Sequence, residues 1–167
     1  DAAQRRAKGV ASGPRTLVLA PTRELALQVT RACTVYGSSV PGLRVASVVG
    51  GVPYGAQLKA LRGTLDLLVA TPGRLMDLMR GGHAVLAQVQ LLVIDEADRM
   101  LDMGFIDDIR TIAQSLPVAR QTLMFSATFG GPVGDLARGL TRDARRVDVA
   151  GHTDRHAQIE QRLYWAD

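Results

Sequence analysis

A chain of 167 residues, 47% of them hydrophobic, is long enough for one domain with its own core and too apolar for a disordered tail. No apolar run approaches the ~20 residues of a membrane span. The basic stretch 1–13 has no apolar segment behind it, which excludes a secretory signal. The single cysteine, Cys33, excludes an internal disulfide framework and suits a reducing compartment, so the expected location is cytoplasmic. The net charge is +4 and the positive side chains are nearly all arginine, the better fork for phosphate. That balance suits a polyanionic partner. Aromatic residues make up only 4%, too few for stacking platforms, so a nucleic acid would be held by its backbone.

Residues 1–14 are small, charged and Gly/Pro-containing, and are expected to form a linker or frayed end. Apolar runs of strand length follow at 16–20, 44–49, 67–70, 89–94 and 122–125, with a weaker one at 146–149. Between them lie helical spacings: Leu25, Val29, Cys33 and Tyr36 on one face, then 54–61, 72–79, 106–115 and 132–140. Strand and helix in regular alternation predict an α/β fold, a parallel sheet flanked by helices. The runs lack polar alternation, as strands buried on both faces do. The domain is expected over 15–150. Residues 151–167 are expected to form a polar interdomain linker, 151–158, and a possible first strand of something further, 159–165.

In such sheets, ligands bind where strand C-termini meet helix N-termini, and the polar signatures cluster there. Pro21-Thr22-Arg23-Glu24 follows the first strand, Gly50-Gly51 the second, Thr71-Pro72-Gly73-Arg74 the third, Asp95-Glu96 the fourth and Ser126-Ala127-Thr128 the fifth. Thr71 before Pro72 reads as a helix cap with Pro at the first helical position, and Thr22 can cap its helix in the same way. Helix N-termini attract phosphate, with Arg23 and Arg74 beside them. An apolar strand ending in two carboxylates, Leu91-Leu92-Val93-Ile94-Asp95-Glu96, has the Walker-B form. Asp95 would hold Mg²⁺, usually through water, and Glu96 would orient or deprotonate the water that attacks a γ-phosphate.

Taken singly, each segment has a plainer reading. The two acids make an ordinary first helical turn, Thr71-Pro72-Gly73 a helix entry, Gly50-Gly51 a turn needing positive φ, and Ser126-Ala127-Thr128 a strand end. His152 and His156 stand four apart, but no third metal ligand accompanies them. Cys33 and the five methionines read as core filler, His83 as a solvated loop residue, and Arg142, Arg145 and Arg146 as a solvated edge.

Together the segments resemble the DEAD-box ATP-dependent RNA helicases of superfamily 2. Asp95-Glu96-Ala97-Asp98, continued by Arg99-Met100-Leu101-Asp102-Met103-Gly104-Phe105, is similar to the family's defining motif. Pro21-Thr22-Arg23-Glu24-Leu25-Ala26 resembles motif Ia, Gly50-Gly51 the GG motif, Thr71-Pro72-Gly73-Arg74 motif Ib and Ser126-Ala127-Thr128 motif III. All five stand in family order, over roughly 15–150. The resemblance implies a RecA-like sheet, ATP and Mg²⁺ as cofactors, and RNA as partner. It gives Asp95 and Glu96 the catalytic roles and Asp98, Ser126 and Thr128 a hydrogen-bonded coupling role. Pro21, Thr22, Arg23, Gly50, Gly51, Thr71, Pro72, Gly73 and Arg74 would line the RNA backbone track, with Glu24 supporting the loop. A second RecA-like domain of the same parent chain is the further partner it implies.

The sequence departs from the family pattern in one respect. A Walker-A loop, G-x-x-x-x-G-K-[ST], belongs before motif Ia, yet no Gly is followed by Lys: the lysines are Lys8, after Ala7, and Lys59, after Leu58. The adenine-reading Q motif is missing as well. The expectation is therefore a partial first RecA-like domain that does not hydrolyse ATP alone, with the edge at 123–126 left unpaired and prone to self-association. The alternatives are a naturally shortened, non-catalytic RNA- or partner-binding module and a DNA-acting motor. The Asp-Glu-Ala-Asp spelling beside Pro-Thr-Arg-Glu-Leu-Ala argues against the last.

Overall fold

The computed structural model describes residues 13–148. Five strands form one wholly parallel sheet: β1 Thr16–Leu19, β2 Val45–Val48, β3 Leu67–Ala70, β4 Leu91–Ile94 and β5 Gln121–Met124, in the spatial order β2-β3-β1-β4-β5. Six α-helices connect and cover them: α1 Arg23–Tyr36, α2 Tyr54–Leu61, α3 Pro72–Arg80, α4 Ala97–Asp102, α5 Ile106–Gln114 and α6 Gly131–Leu140. A short 3-10 turn, Gly37–Ser39, closes α1. This is the RecA-like α/β arrangement expected. Parallel neighbours cannot be joined by a tight hairpin, so each crossover carries a helix.

Side chains alternate across each strand and divide the core in two. Leu17, Leu19, Leu68, Ala70, Leu92 and Ile94 face the larger half, where Leu75 and Leu78 of α3, Met100 of α4, Ile109 and Ile112 of α5 and Leu136 of α6 pack on them. Val18, Ala20 and Val69 face the smaller half under Ala26 of α1. Cover on that second face fades toward β5. Val93 is half-buried, Leu123 is exposed, and Phe125 is 54% exposed. Among the described residues, strand β5 pairs only with β4 and forms the sheet edge, the position expected of the unpaired edge at 123–126.

The strands run in close register. Leu19 stands beside Ala70 and Ile94, Val48 beside Ala70, and Ile94 beside Met124. Their C-termini therefore share one edge, and the five polar segments leave the sheet at one level. Register, which residue spacing alone does not reveal, is what assembles the site.

Some expectations change. The run at 146–149 forms no strand in its described part: Val147 is 76% exposed, Arg146 pairs with Asp148, and among the described residues no neighbouring strand offers a ladder. Tyr36 leaves the apolar stripe of α1 and is 84% exposed, while Cys33 is only partly buried. Met76 and Met100 are core, but Met103 is half-exposed in the turn after α4. His152, His156 and the 159–165 run lie outside the described residues. Among the described residues no helix is long and apolar enough to cross a membrane.

Candidate functional site

At the end of β4 the chain passes between β1 and β5. Asp95 N–H donates to Leu19 O (3.0 Å), and Phe125 N–H donates to Ile94 O (2.8 Å). Asp95 is therefore fixed by the sheet while its side chain stays half-buried. Its Oδ1 accepts the Glu96 N–H (3.0 Å). Glu96 has φ 49°, ψ 54°, the left-handed region that a side chain enters at a cost of order 1–3 kcal/mol. At this sharp turn α4 starts at once, with Ala97 N–H held by Phe125 O (3.0 Å). Glu96 Oε2 meets Arg99 Nη1 at 3.3 Å.

Among the described residues no three acidic, histidine or cysteine side chains gather as a closed metal cage. One fixed carboxylate, Asp95, is the donor set that suits Mg²⁺, which keeps several waters and takes substrate phosphates as its other ligands.

The expected contact between Asp98 and Ser126-Ala127-Thr128 forms differently. The Asp98 backbone N–H, not its carboxylate, donates to Ser126 Oγ (3.3 Å). Ser126 Oγ–H donates to Thr128 O (2.6 Å) and accepts the Thr128 N–H (3.3 Å), while Asp98 Oδ1 accepts the Arg99 N–H (3.0 Å). Ser126 is thus the joint between α4 and the β5 loop, and Thr128 reaches Asp98 only through it.

The remaining segments converge on one loop. Thr22 caps α1 by accepting the Leu25 N–H on Oγ1 (3.2 Å). Thr71 stands at the N-cap of α3 with Pro72 after it, yet makes no side-chain capping bond. Its N–H is instead tied to Val48 O (3.1 Å). The Gly50–Val52 loop lies between these two helix starts. Gly51 has φ 71°, the left-handed backbone that favours glycine, and a Cβ there would stand 2.9 Å from Arg23 Nη1, so the guanidinium would have to shift. Arg23 Nη1 donates to Gly51 O (3.2 Å), and Arg74 Nη1 donates to Val52 O (3.0 Å). Each guanidinium spends one N–H on the loop and keeps others in its fork. Arg74 also lies over the Tyr54 ring (5.9 Å), against which His83 packs edge-on. Pro21 and Pro72 are buried and set the helix entries, while Glu24 is exposed in the first turn of α1.

The sequence reading missed Gln57, Tyr54 and Arg99. The available signal for Gln57 was an amide beside the apolar positions Leu58, Ala60 and Leu61 of α2. Outside the site, burial pushes the Cys33 thiol above its usual range, which keeps it protonated and suits packing. Burial, then the nearby Arg142, lowers Arg120 at the far end of β5.

The profile of the DEAD/DEAH box helicase family matches residues 2–136. The chain is 39% identical over 91% of its length to the ATP-dependent RNA helicase DeaD of Haemophilus influenzae, covering 25% of that protein. It is 45% identical over 90% of its length to the chloroplastic DEAD-box ATP-dependent RNA helicase 3B of Zea mays, covering 20% of it. It is 44% identical, again over 90%, to the ATP-dependent RNA helicase RhlB of Pseudomonas putida, covering 38%. The chain thus spans about a fifth to two fifths of these relatives. With the family profile running across all five strands and the Asp95–Asp98 motif at the C-terminal edge of the sheet, the chain belongs to the DEAD/DEAH box helicase family.

Proposed function

We propose that this chain forms part of the first motor domain of an ATP-dependent RNA helicase, one that separates short RNA duplexes while gripping the sugar-phosphate backbone. One observation carries the reading. The acidic end of β4 and the arginine-pinned Gly50–Val52 loop sit on the same sheet edge, and the Asp98–Ser126 bond ties α4 to the neighbouring strand.

In this reading Asp95 holds Mg²⁺, which would neutralise phosphate charge, and Glu96 orients the attacking water. Movement at Ser126 and Thr128 links hydrolysis to strand separation. Pro21, Thr22, Arg23, Gly50, Gly51, Thr71, Pro72, Gly73 and Arg74 form the RNA face, built from helix N-termini and arginine forks. Such a grip is sequence-tolerant and weakens with salt. A second RecA-like domain of the parent protein completes the clamp, in a cytoplasmic setting. The test is ATP turnover by the full-length protein with single-stranded RNA and with DNA of the same sequence. Turnover is expected to rise with RNA and stay basal with DNA. Equal stimulation by both would assign a DNA-acting motor instead.

A second reading is a non-catalytic RNA- or partner-binding module. The intact mass of the native gene product separates the two. A mass well above 17.9 kDa, with peptides reading into a Walker-A loop, supports the enzyme; a mass near that value supports the module.

Self-association belongs to the same proposal. Along β5 the exposed Leu123 and Phe125 and the open ladder offer another chain a partner edge. Sedimentation of the 167-residue chain is expected to show oligomers that grow with concentration and that Leu123→Lys reduces. A monomer at every concentration would remove this part of the proposal.

A further inference from the structure

Among the described residues, Gln57 is the buried polar side chain, 3% exposed. It sits in α2 under the loop that follows β2. Its Oε1 accepts the Val49 N–H (2.9 Å), and its Nε2 donates to Val49 O (3.2 Å) and to Val52 O (3.0 Å). Strand β2 is the sheet edge opposite β5, and the Val48 carbonyl is taken from the β3 side by Thr71 N–H. Val49, 1% exposed, would otherwise bury an N–H and a carbonyl with no neighbouring strand to satisfy them. The Gln57 amide stands in for that strand. With its second N–H it fastens the far side of the loop, so both amide protons and the carbonyl oxygen are used.

The Val52 carbonyl receives two donors, Gln57 Nε2 and Arg74 Nη1, while Gly51 O receives Arg23 Nη1. Three side chains from three helices thus converge on two adjacent peptide units, and the buried one holds the loop from below. We infer that Gln57 is a positioning residue for RNA binding: its amide sets the height and orientation of the Gly50–Val52 loop, and thereby the placement of the Arg23 and Arg74 guanidinium groups toward phosphate. The inference rests on the proposed RNA face. Asn is a methylene too short to span from α2 to Val49 and Val52 together, Met fills the volume with no donor, and Glu keeps the acceptor for Val49 N–H but sets a carboxylate oxygen against two carbonyls.

The test uses the full-length protein and a fluorescein-labelled oligouridylate, read by anisotropy. Gln57→Met is expected to raise the Kd about tenfold, the scale of leaving buried backbone groups unpaired, with the KM for ATP unchanged. Arg74→Ala is also expected to raise the Kd. Because both act on the Val52 carbonyl, the double variant should lose much less than the product of the two single losses. Gln57→Glu is expected to weaken binding comparably and provides the reading if Gln57→Met does not fold. If Arg23→Ala and Arg74→Ala raise the Kd while neither Gln57 variant does, or if the losses multiply in full, the positioning role is overturned and the RNA face stands. If the arginine variants leave the Kd unchanged, the RNA face itself is wrong and the role of Gln57 falls with it.

Discussion

Glu96→Gln in the full-length protein is expected to reduce RNA-stimulated ATP turnover by about 10²–10⁴-fold, the usual contribution of a positioned general base, with ATP affinity nearly unchanged. The substitution exchanges one carboxylate oxygen for an amide nitrogen and keeps the shape. The left-handed backbone at Glu96 and the bond from its N–H to Asp95 Oδ1 are main-chain features, so they survive. What is lost is a group that can accept the proton of an attacking water. The ion pair with Arg99 is lost as well, but both side chains are about half exposed, 42% for Glu96 and 58% for Arg99, and pairs of that kind contribute about 0–1 kcal/mol. The melting temperature should therefore hardly move while turnover collapses. A variant that keeps more than about a tenth of wild-type turnover would take the general-base role away from Glu96. Asp95→Asn should differ in kind: it weakens the proposed Mg²⁺ ligand and should raise the KM for the ATP·Mg²⁺ complex as well.

The 167-residue chain alone is expected to show no saturable heat when titrated with micromolar ATP·Mg²⁺, which places its Kd at about a millimolar or weaker, a binding free energy near −4 kcal/mol or less favourable. A phosphate-binding loop contributes a row of backbone N–H groups and a lysine that meet the nucleotide's charge. Neither of the lysines Lys8 and Lys59 follows a glycine, so no such loop is encoded here. At the end of β4 stand Asp95 and Glu96, two negative charges facing an anionic ATP·Mg²⁺ complex, with Arg99 already paired to Glu96 and one N–H of Arg23 and of Arg74 spent on the Gly50–Val52 loop. Saturable calorimetric binding at micromolar ATP would contradict this. It would also require a phosphate cradle elsewhere in the chain.

The two outcomes bear on different parts of the proposal. Loss of turnover in Glu96→Gln concerns chemistry at the end of β4. The ATP titration concerns whether that chemistry has a nucleotide to act on without the missing loop.

Much of this protein was legible from its residues in order. The apolar run Leu67–Ala70 and the helix Tyr54–Leu61 stand where spacing alone put them, because a short apolar run bounded by turn residues, or a regular apolar stripe, has one way to bury itself. The parallel sheet followed from alternation, and the motif spelling identified the family. Asp95 and Glu96 at a strand end were equally legible, since the strand before them is continuously apolar.

Three features arose only in the folded chain. The 146–149 run looked like a weak sixth strand, but a strand exists through its neighbours and, among the described residues, none lies beside Arg146–Asp148. The Asp98–Ser126 contact was expected as a hydrogen bond with no atom specified, and it forms through the Asp98 main-chain N–H. Gln57, ordinary in sequence, became the hub of the Gly50–Val52 loop because strand order left Val49 on an open edge with two backbone groups to satisfy. The sequence by itself determined element types, the family and the acidic pair, since these depend on local periodicity and residue chemistry. Tertiary structure alone decided which backbone groups lacked partners and which side chains met them, since that depends on register and strand order, and neither is a property of any single segment.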